Sequence, residues 1–140
     1  MIIQILAESN NFELQAHYED IVLVRKSDEK DFDLGSHYGD PKVGLISPKE
    51  DWFITAGEGL IYFDFNQGLK YFFRSDFSSQ SGVAFVHDAK IEPDLGVKIL
   101  LDPWSNYAST WLLKLPELEL SKLSNSPSLV NEPYREKVAF

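Results

Sequence analysis

Trp52-Phe53-Ile54-Thr55-Ala56-Gly57-Glu58-Gly59-Leu60-Ile61-Tyr62-Phe63-Asp64-Phe65-Asn66-Gln67-Gly68-Leu69-Lys70-Tyr71-Phe72-Phe73-Arg74 is the stretch that decides the fold. Trp52 to Thr55 is rich in aromatic and β-branched side chains, which suit a pleated, half-buried surface. Gly57-Glu58-Gly59 reads as a tight turn and Leu60 to Phe65 as a second strand. Asn66-Gln67-Gly68 then separates Phe65 from Lys70-Tyr71-Phe72-Phe73, as in a three-residue hairpin loop with Gly in the left-handed position. The whole reads as a β-meander. Successive strand residues point to opposite faces, so Tyr62 and Phe63 lie on opposite sides, as do Tyr71 and Phe72. Both faces are thus rich in rings. Either both are core, or one is an exposed aromatic platform of the kind that concentrates binding energy.

Outward from this stretch the strand signals continue. Ile2 to Leu6 is a short apolar run, and Glu8-Ser9-Asn10-Asn11 supplies turn chemistry. Phe12, Leu14, Ala16 and Tyr18 alternate with Glu13, Gln15, His17 and Glu19, the mark of a strand with one wet face. Ile21-Val22-Leu23-Val24 follows as a further strand. From Ser27 to Lys42 the pattern dissolves into acids and glycines, which reads as a long loop. Ser75 to Ser81 reads as a serine-rich loop, Val83 to Val86 as a strand, and Pro93-Asp94-Leu95-Gly96 as a turn. Val97 to Leu101 and Ser109 to Leu115 are further strands, separated by a corner at Asp102-Pro103-Trp104-Ser105-Asn106. Past Pro116 the apolar density falls. Glu117 to Leu123 can form one or two helical turns, Ser124 to Asn131 is irregular, and Tyr134 to Phe140 either docks as a strap or stays loose.

Eight to ten short strands with no helices between them predict a mainly β fold. The expected architecture is an antiparallel β-sandwich or barrel-like sheet with little helix. The chain has 140 residues, a common size for one domain. Residues 1–140 are therefore read as a single domain, with 121–140 a candidate loose C-terminal tail. No internal repeat and no second-domain boundary is visible in the sequence.

Charge narrows the function classes. The chain carries 22 acidic and 13 basic residues, a formal net charge of −9. Residues 1–70 hold thirteen acids against six bases, and residues 71–140 nine against seven, so the negative field is strongest on the N-terminal half. Such a surface repels a phosphate backbone and an anionic membrane, and attracts a basic protein. Cysteine is absent, no signal-peptide pattern opens the chain, and no apolar run approaches the roughly 20 residues that span a bilayer. A cytoplasmic location is the expectation.

Catalytic and metal motifs fare poorly. Asp31-x-Asp33 begins like a calcium loop, but the fifth, sixth and twelfth positions are Gly35, Ser36 and Lys42. An irregular calcium site from Asp28, Asp31, Asp33 and Asp40 is the residual alternative to a solvated acidic loop. Gly57-Glu58-Gly59 matches neither phosphate-binding glycine motif. His17, His37 and His87 lack zinc-site spacing. The serine cluster at Ser75, Ser78, Ser79 and Ser81 lacks a nucleophile elbow. Nothing fixes a nucleophile, an acid and an orienting group together, so an enzyme built on His87-Asp88 or a carboxylate pair ranks last.

The expected function is that of a small acidic cytosolic binding protein that neutralises a basic protein partner. An immunity or antitoxin type inhibitor of a toxin such as a nuclease is the concrete case. Asp28, Glu29, Asp31, Asp33 and Asp40 are the expected partner-binding residues, with Glu58 and Trp104 in support. No catalytic residue, metal or cofactor is expected, nor binding to nucleic acid or membrane. The alternative is a carbohydrate or small-molecule binding β-module, with rings stacking on the ligand.

Overall fold

A computed structural model describes residues 3–73 and 85–140. Twelve strands run in order: β1 Ile3–Glu8, β2 Phe12–His17, β3 Asp20–Arg25, β4 Lys30–Ser36, β5 Val43–Ile46, β6 Phe53–Gly57, β7 Gly59–Asp64, β8 Gly68–Phe72, β9 Val86–Glu92, β10 Gly96–Leu101, β11 Ser109–Lys114 and β12 Glu119–Ser124. Each strand pairs antiparallel with its sequence neighbour, giving three four-stranded meanders, β1–β4, β5–β8 and β9–β12. The fold is therefore mainly β and sandwich-like, as the strand signals predicted. It has three layers rather than two. The same four-stranded unit recurs three times although the sequence shows no repeat.

The middle sheet explains why rings occupy both faces of β7. Phe53 and Ile61 point toward the first sheet and pack with Leu14, Leu23 and Leu34. Ile54, Ala56, Leu60 and Tyr62 point the other way and pack with Val86, Val97, Ile99 and Leu113 of the third sheet. Every residue of β6 is buried, and β7 is buried apart from a half-buried Phe63. Burying a side chain of this size is worth roughly 1.5–3 kcal/mol, so two cores share one central sheet and brace it from both sides. Phe12 packs edge-on to Phe53 at 4.9 Å between centroids, and Phe65 edge-on to Phe63 at 5.0 Å, in the favoured geometry for ring pairs. Aromatic density here is core on both faces.

The hairpins follow their local chemistry. Asp64 and Gly68 pair across the predicted β7–β8 loop, with Gly68 at φ 80. Glu58 stands at the apex of the β6–β7 turn, where Gly57 pairs with Gly59. A Cβ at Gly57 would come within 3.1 Å of the Asp40 carbonyl, so the close passage of that segment favours glycine. The turns β1–β2, β3–β4, β5–β6, β7–β8, β9–β10 and β11–β12 meet at one end of the stack. Lys26 N–H bonds the Asn11 carbonyl at 2.9 Å, Asn11 N–H bonds Glu50 at 2.9 Å, and the Gln67 amide reaches the Pro116 carbonyl at 3.2 Å.

Three local expectations are corrected. Residues 30–36 lie in β4 rather than in a long loop: Phe32 and Leu34 turn inward while Asp31 and Asp33 turn outward, an alternation hidden by the density of acids. Residues 119–124 form β12 and not helical turns, because β11 offers an open edge to pair with. His87-Asp88 lies inside β9, which begins at Val86, rather than just past a strand that ends there. Ser75, Ser78, Ser79 and Ser81, and the predicted strand from Val83 up to Ala84, lie outside the described residues. Among the described residues no helix is long and apolar enough to cross a membrane.

Beyond β12 the chain returns across the third sheet. Leu129 and Val138 are buried against Leu100, with Trp104 and Phe140 beside them. Leu129 N–H donates to the Pro103 carbonyl at 2.6 Å, and one His87 ring nitrogen lies 2.7 Å from the Glu136 carbonyl oxygen. The segment is docked as a strap.

Candidate functional site

The first sheet packs on the middle sheet through one face, no other described strand covers the opposite face, and pairing register places its outward residues in three rows. Ile3, His17, Asp20 and Ser36 lie side by side across the four strands. Ile5, Gln15, Val22 and Asp33 form the second row, and Glu8, Glu13, Val24 and Asp31 the third. Ile3 and Ile5 on edge strand β1 are 50% and 52% exposed, and half-buried Val22 and Val24 stand on β3, so two short apolar stripes flank the polar residues of β2. Glu8, Glu13, Asp20, Asp31 and Asp33 share the three rows with them, and these rows contain no lysine or arginine.

Hydrogen bonds order part of this face. Gln15 donates to Glu13 at 2.6 Å, and a His17 ring nitrogen lies 2.8 Å from the Gln15 side-chain oxygen, so β2 carries a continuous polar ladder. Asp33 accepts the Gly35 amide at 2.9 Å. Glu8 is ion-paired with Lys26 at the sheet border. The result is a surface on which negative charge is interleaved with aliphatic side chains.

The sequence-derived residues separate into four places. Asp31 and Asp33 stand on this face. Asp28 and Glu29 form the exposed β3–β4 turn, where the Arg25 side-chain bond and then the Lys30 amide pull the Asp28 carboxyl down to about 2. Asp40 and Glu58 lie at the far end of β4, a separation of roughly 20 Å at about 3.3 Å per residue. There His37 is buried, with Nδ1 3.2 Å from the Glu58 carbonyl and Nε2 2.9 Å from the Thr55 hydroxyl. Glu58 is half-buried and forms an isolated bridge with Phe85. Trp104 belongs to the third sheet: its indole N–H donates to the Glu132 carbonyl at 3.0 Å, and its ring packs on His87 and Tyr134. Asp28, Asp31, Asp33 and Asp40 do not converge on one ion, and among the described residues no group of three or more metal-ligating side chains is placed to hold one. The three histidines lie on a sheet face, in a buried corner and under the strap, each apart from the others.

Sequence reasoning missed Glu8, Glu13 and Asp20 as members of the face. The signal was present in the period-two pattern of residues 12–18, which already put Glu13 and His17 on one side.

A cleft of about 610 Å³ opens between the middle and third sheets at the turn end. Trp52, Leu95, Leu115 and Pro116 are among its walls, and Tyr62 and Asp64 reach it from β7. Tyr62 donates to Asp64 at 2.5 Å, and the amides of Asn66 and Gln67 bond the same carboxylate. Burial opposes ionisation of Asp64, but these bonds outweigh it and hold its carboxyl below the ordinary value. Burial first, then the bond to Asp64 and its charge, push the Tyr62 phenol well above the usual tyrosine range. No sequence motif announced this cleft, because its lining comes from four separate turns.

No protein-family model matches the chain, and no curated protein sequence or solved structure matches it significantly.

Proposed function

We propose that this chain is a small acidic binding protein that neutralises a basic protein partner through the outer face of its first sheet. In its concrete form it acts in the cytoplasm as an inhibitor of immunity or antitoxin type, occluding a cationic toxin such as a nuclease. The observation that carries the reading is the face itself, with Ile3, Ile5, Val22 and Val24 set among five carboxylates and no lysine or arginine in its three rows. Protein interfaces combine apolar and polar contacts, and complementary charge selects the partner and speeds encounter. An active site that holds phosphates must present positive potential, and a rigid array of carboxylates competes for it. Inhibition of this kind is occlusion and needs no chemical step.

The test is capture from a lysate of the source organism at low and high salt. Wild type is compared with the triple variant Glu13→Gln, Asp31→Asn, Asp33→Asn. One basic protein is expected, released at high salt and retained at least about tenfold less by a variant that melts at the wild-type temperature. The captured protein's own activity, assayed with and without this chain, then tests inhibition. Equal capture by the variant would remove the face from the interface. An acidic partner, or one indifferent to salt, would sink the charge-based reading.

A further inference from the structure

The cleft between the middle and third sheets has no part in that reading, and its chemistry points to a different kind of ligand. Its volume of about 610 Å³ lies within the ~300–1,000 Å³ usual for small-molecule sites. Its walls are mostly apolar, with Trp52, Leu95 and Leu115 among them, while Asp51, Glu92 and Asp94 stand on the surrounding turns with Lys49 as the one basic residue lining it among the described residues. Asp64 is committed to Tyr62, Asn66 and Gln67, so it adds negative potential without being free to bind. Glu92 is half-buried and Asp94 exposed, and neither is ion-paired among the described residues.

The frame is ordered in advance. Ser47 accepts the Asp51 amide at 2.8 Å and its own N–H bonds the Trp52 carbonyl at 3.1 Å, which fixes the β5–β6 turn. Leu95 N–H bonds the Glu92 carbonyl at 3.1 Å, and Leu115 N–H bonds the Leu95 carbonyl at 3.0 Å, tying the β9–β10 turn to the end of β11. A site whose walls need no reordering keeps more of its interaction energy as affinity.

We propose that this cleft binds a small organic cation, an ammonium or guanidinium carried on an aliphatic or aromatic body. The body fills the apolar walls, the indole of Trp52 offers a cation–π face, and Glu92 and Asp94 neutralise the charge. A neutral sugar would leave that charge unanswered, and an anion would be repelled.

The test is a titration of the ¹⁵N-labelled full chain, read by amide shifts and tryptophan fluorescence. The probes are 2-phenylethylamine, phenylguanidine, 2-phenylethanol, 3-phenylpropionate, maltose and N-acetyl-arginine methylamide. Saturable shifts confined to residues 47–52, 66–67, 91–96 and 115–116 are expected with the amine and the guanidine, with Kd about 0.1–1 mM for ligands of this size. The alcohol should bind at least about tenfold more weakly and the carboxylate not at all. Glu92→Gln with Asp94→Asn, both at accessible positions, should weaken the amine about tenfold while the free protein's amide shifts change only beside residues 92 and 94. Trp52→Phe should remove the fluorescence response. Equal binding of alcohol and amine, a maltose response with silent amines, or shifts on the first sheet instead would each overturn the assignment. An arginine derivative that binds more tightly than every free cation would give the cleft to a protein side chain and overturn the small-molecule reading. Because the probes are not proteins, failure here leaves the partner-capture result standing, and the reverse also holds.

Discussion

Tyr62 and Asp64 lie two residues apart on the same face of β7, and the phenol donates to the carboxylate at 2.5 Å. Their titrations act on stability in opposite pH ranges. Asp64 has a lowered folded value, so its contribution is complete above the ordinary aspartate pKa of about 4 and is lost as pH falls through the folded value. Tyr62 has a raised one, so its contribution is complete below about pH 10 and is lost as pH rises further. Asp64→Asn should cost about 2 kcal/mol at pH 7, since buried donors lose a charged acceptor. Its urea midpoint should then fall less steeply than that of wild type between pH 4 and pH 2. Parallel acid limbs would show that Asp64 is not responsible.

Gly44 of β5 passes β1 so closely that a Cβ there would lie 2.6 Å from the Leu6 Cβ and 2.8 Å from its backbone. Both strands are framework, so neither can yield cheaply. Gly44→Ala should destabilise by about 3 kcal/mol through overpacking. Gly68→Ala is the comparison: it meets nothing within 4 Å, and only its positive φ is strained. A cost of about 1 kcal/mol is expected there. Chemical denaturation of both variants checks the order, and a harmless Gly44→Ala would mean that the sheets are spaced differently.

The outer face of the first sheet concentrates five acids, of which Glu8, Glu13 and Asp33 have intramolecular partners. Asp31 is exposed and makes no ion pair among the described residues. Asp31→Lys should therefore leave stability unchanged or raise it slightly at low salt, while reducing partner capture. Thermal melts at two ionic strengths separate the effects: a gain that disappears in salt is relief of like-charge repulsion. A marked loss of stability would instead make Asp31 a structural residue.

The middle layer was the most legible part of the chain. Trp52 to Phe73 combines β-branched residues, glycine turns and rings on both faces, and such a pattern is consistent with a strand buried on two sides. What it could not reveal was which layers cover it, since contacts between Phe53 and Leu14, or Tyr62 and Val97, join residues far apart in sequence. β4 was hidden for a local reason. Asp31, Asp33 and two glycines look like a loop by composition, whereas Phe32 and Leu34 between them carry the period-two signal. β12 has little apolar character of its own and is a strand because β11 pairs with it. The acidic face was half legible, through Asp31 and Asp33, because its other members sit on strands whose register is fixed only by pairing. The cleft was not legible at all, because it exists only when four turns from two sheets meet.

The strap over the third sheet gives the last prediction. Leu129 and Val138 cover Leu100, and Trp104 is held by the Glu132 carbonyl at 3.0 Å with Tyr134 at 5.0 Å between ring centroids. Leu129→Ala should cost about 2–3 kcal/mol, at the low end for a buried leucine because its site is close to the surface. Removal of residues 129–140 should cost more, since it uncovers Leu100 and leaves the Trp104 indole to water. Tryptophan emission provides a local readout. Truncation should shift it to the red, and Trp104→Phe should abolish that shift while Trp52 and Trp111 continue to report. A truncated chain with wild-type emission and an unchanged urea midpoint would show that the strap adds nothing, and that the third sheet is stable through its packing on the middle sheet alone.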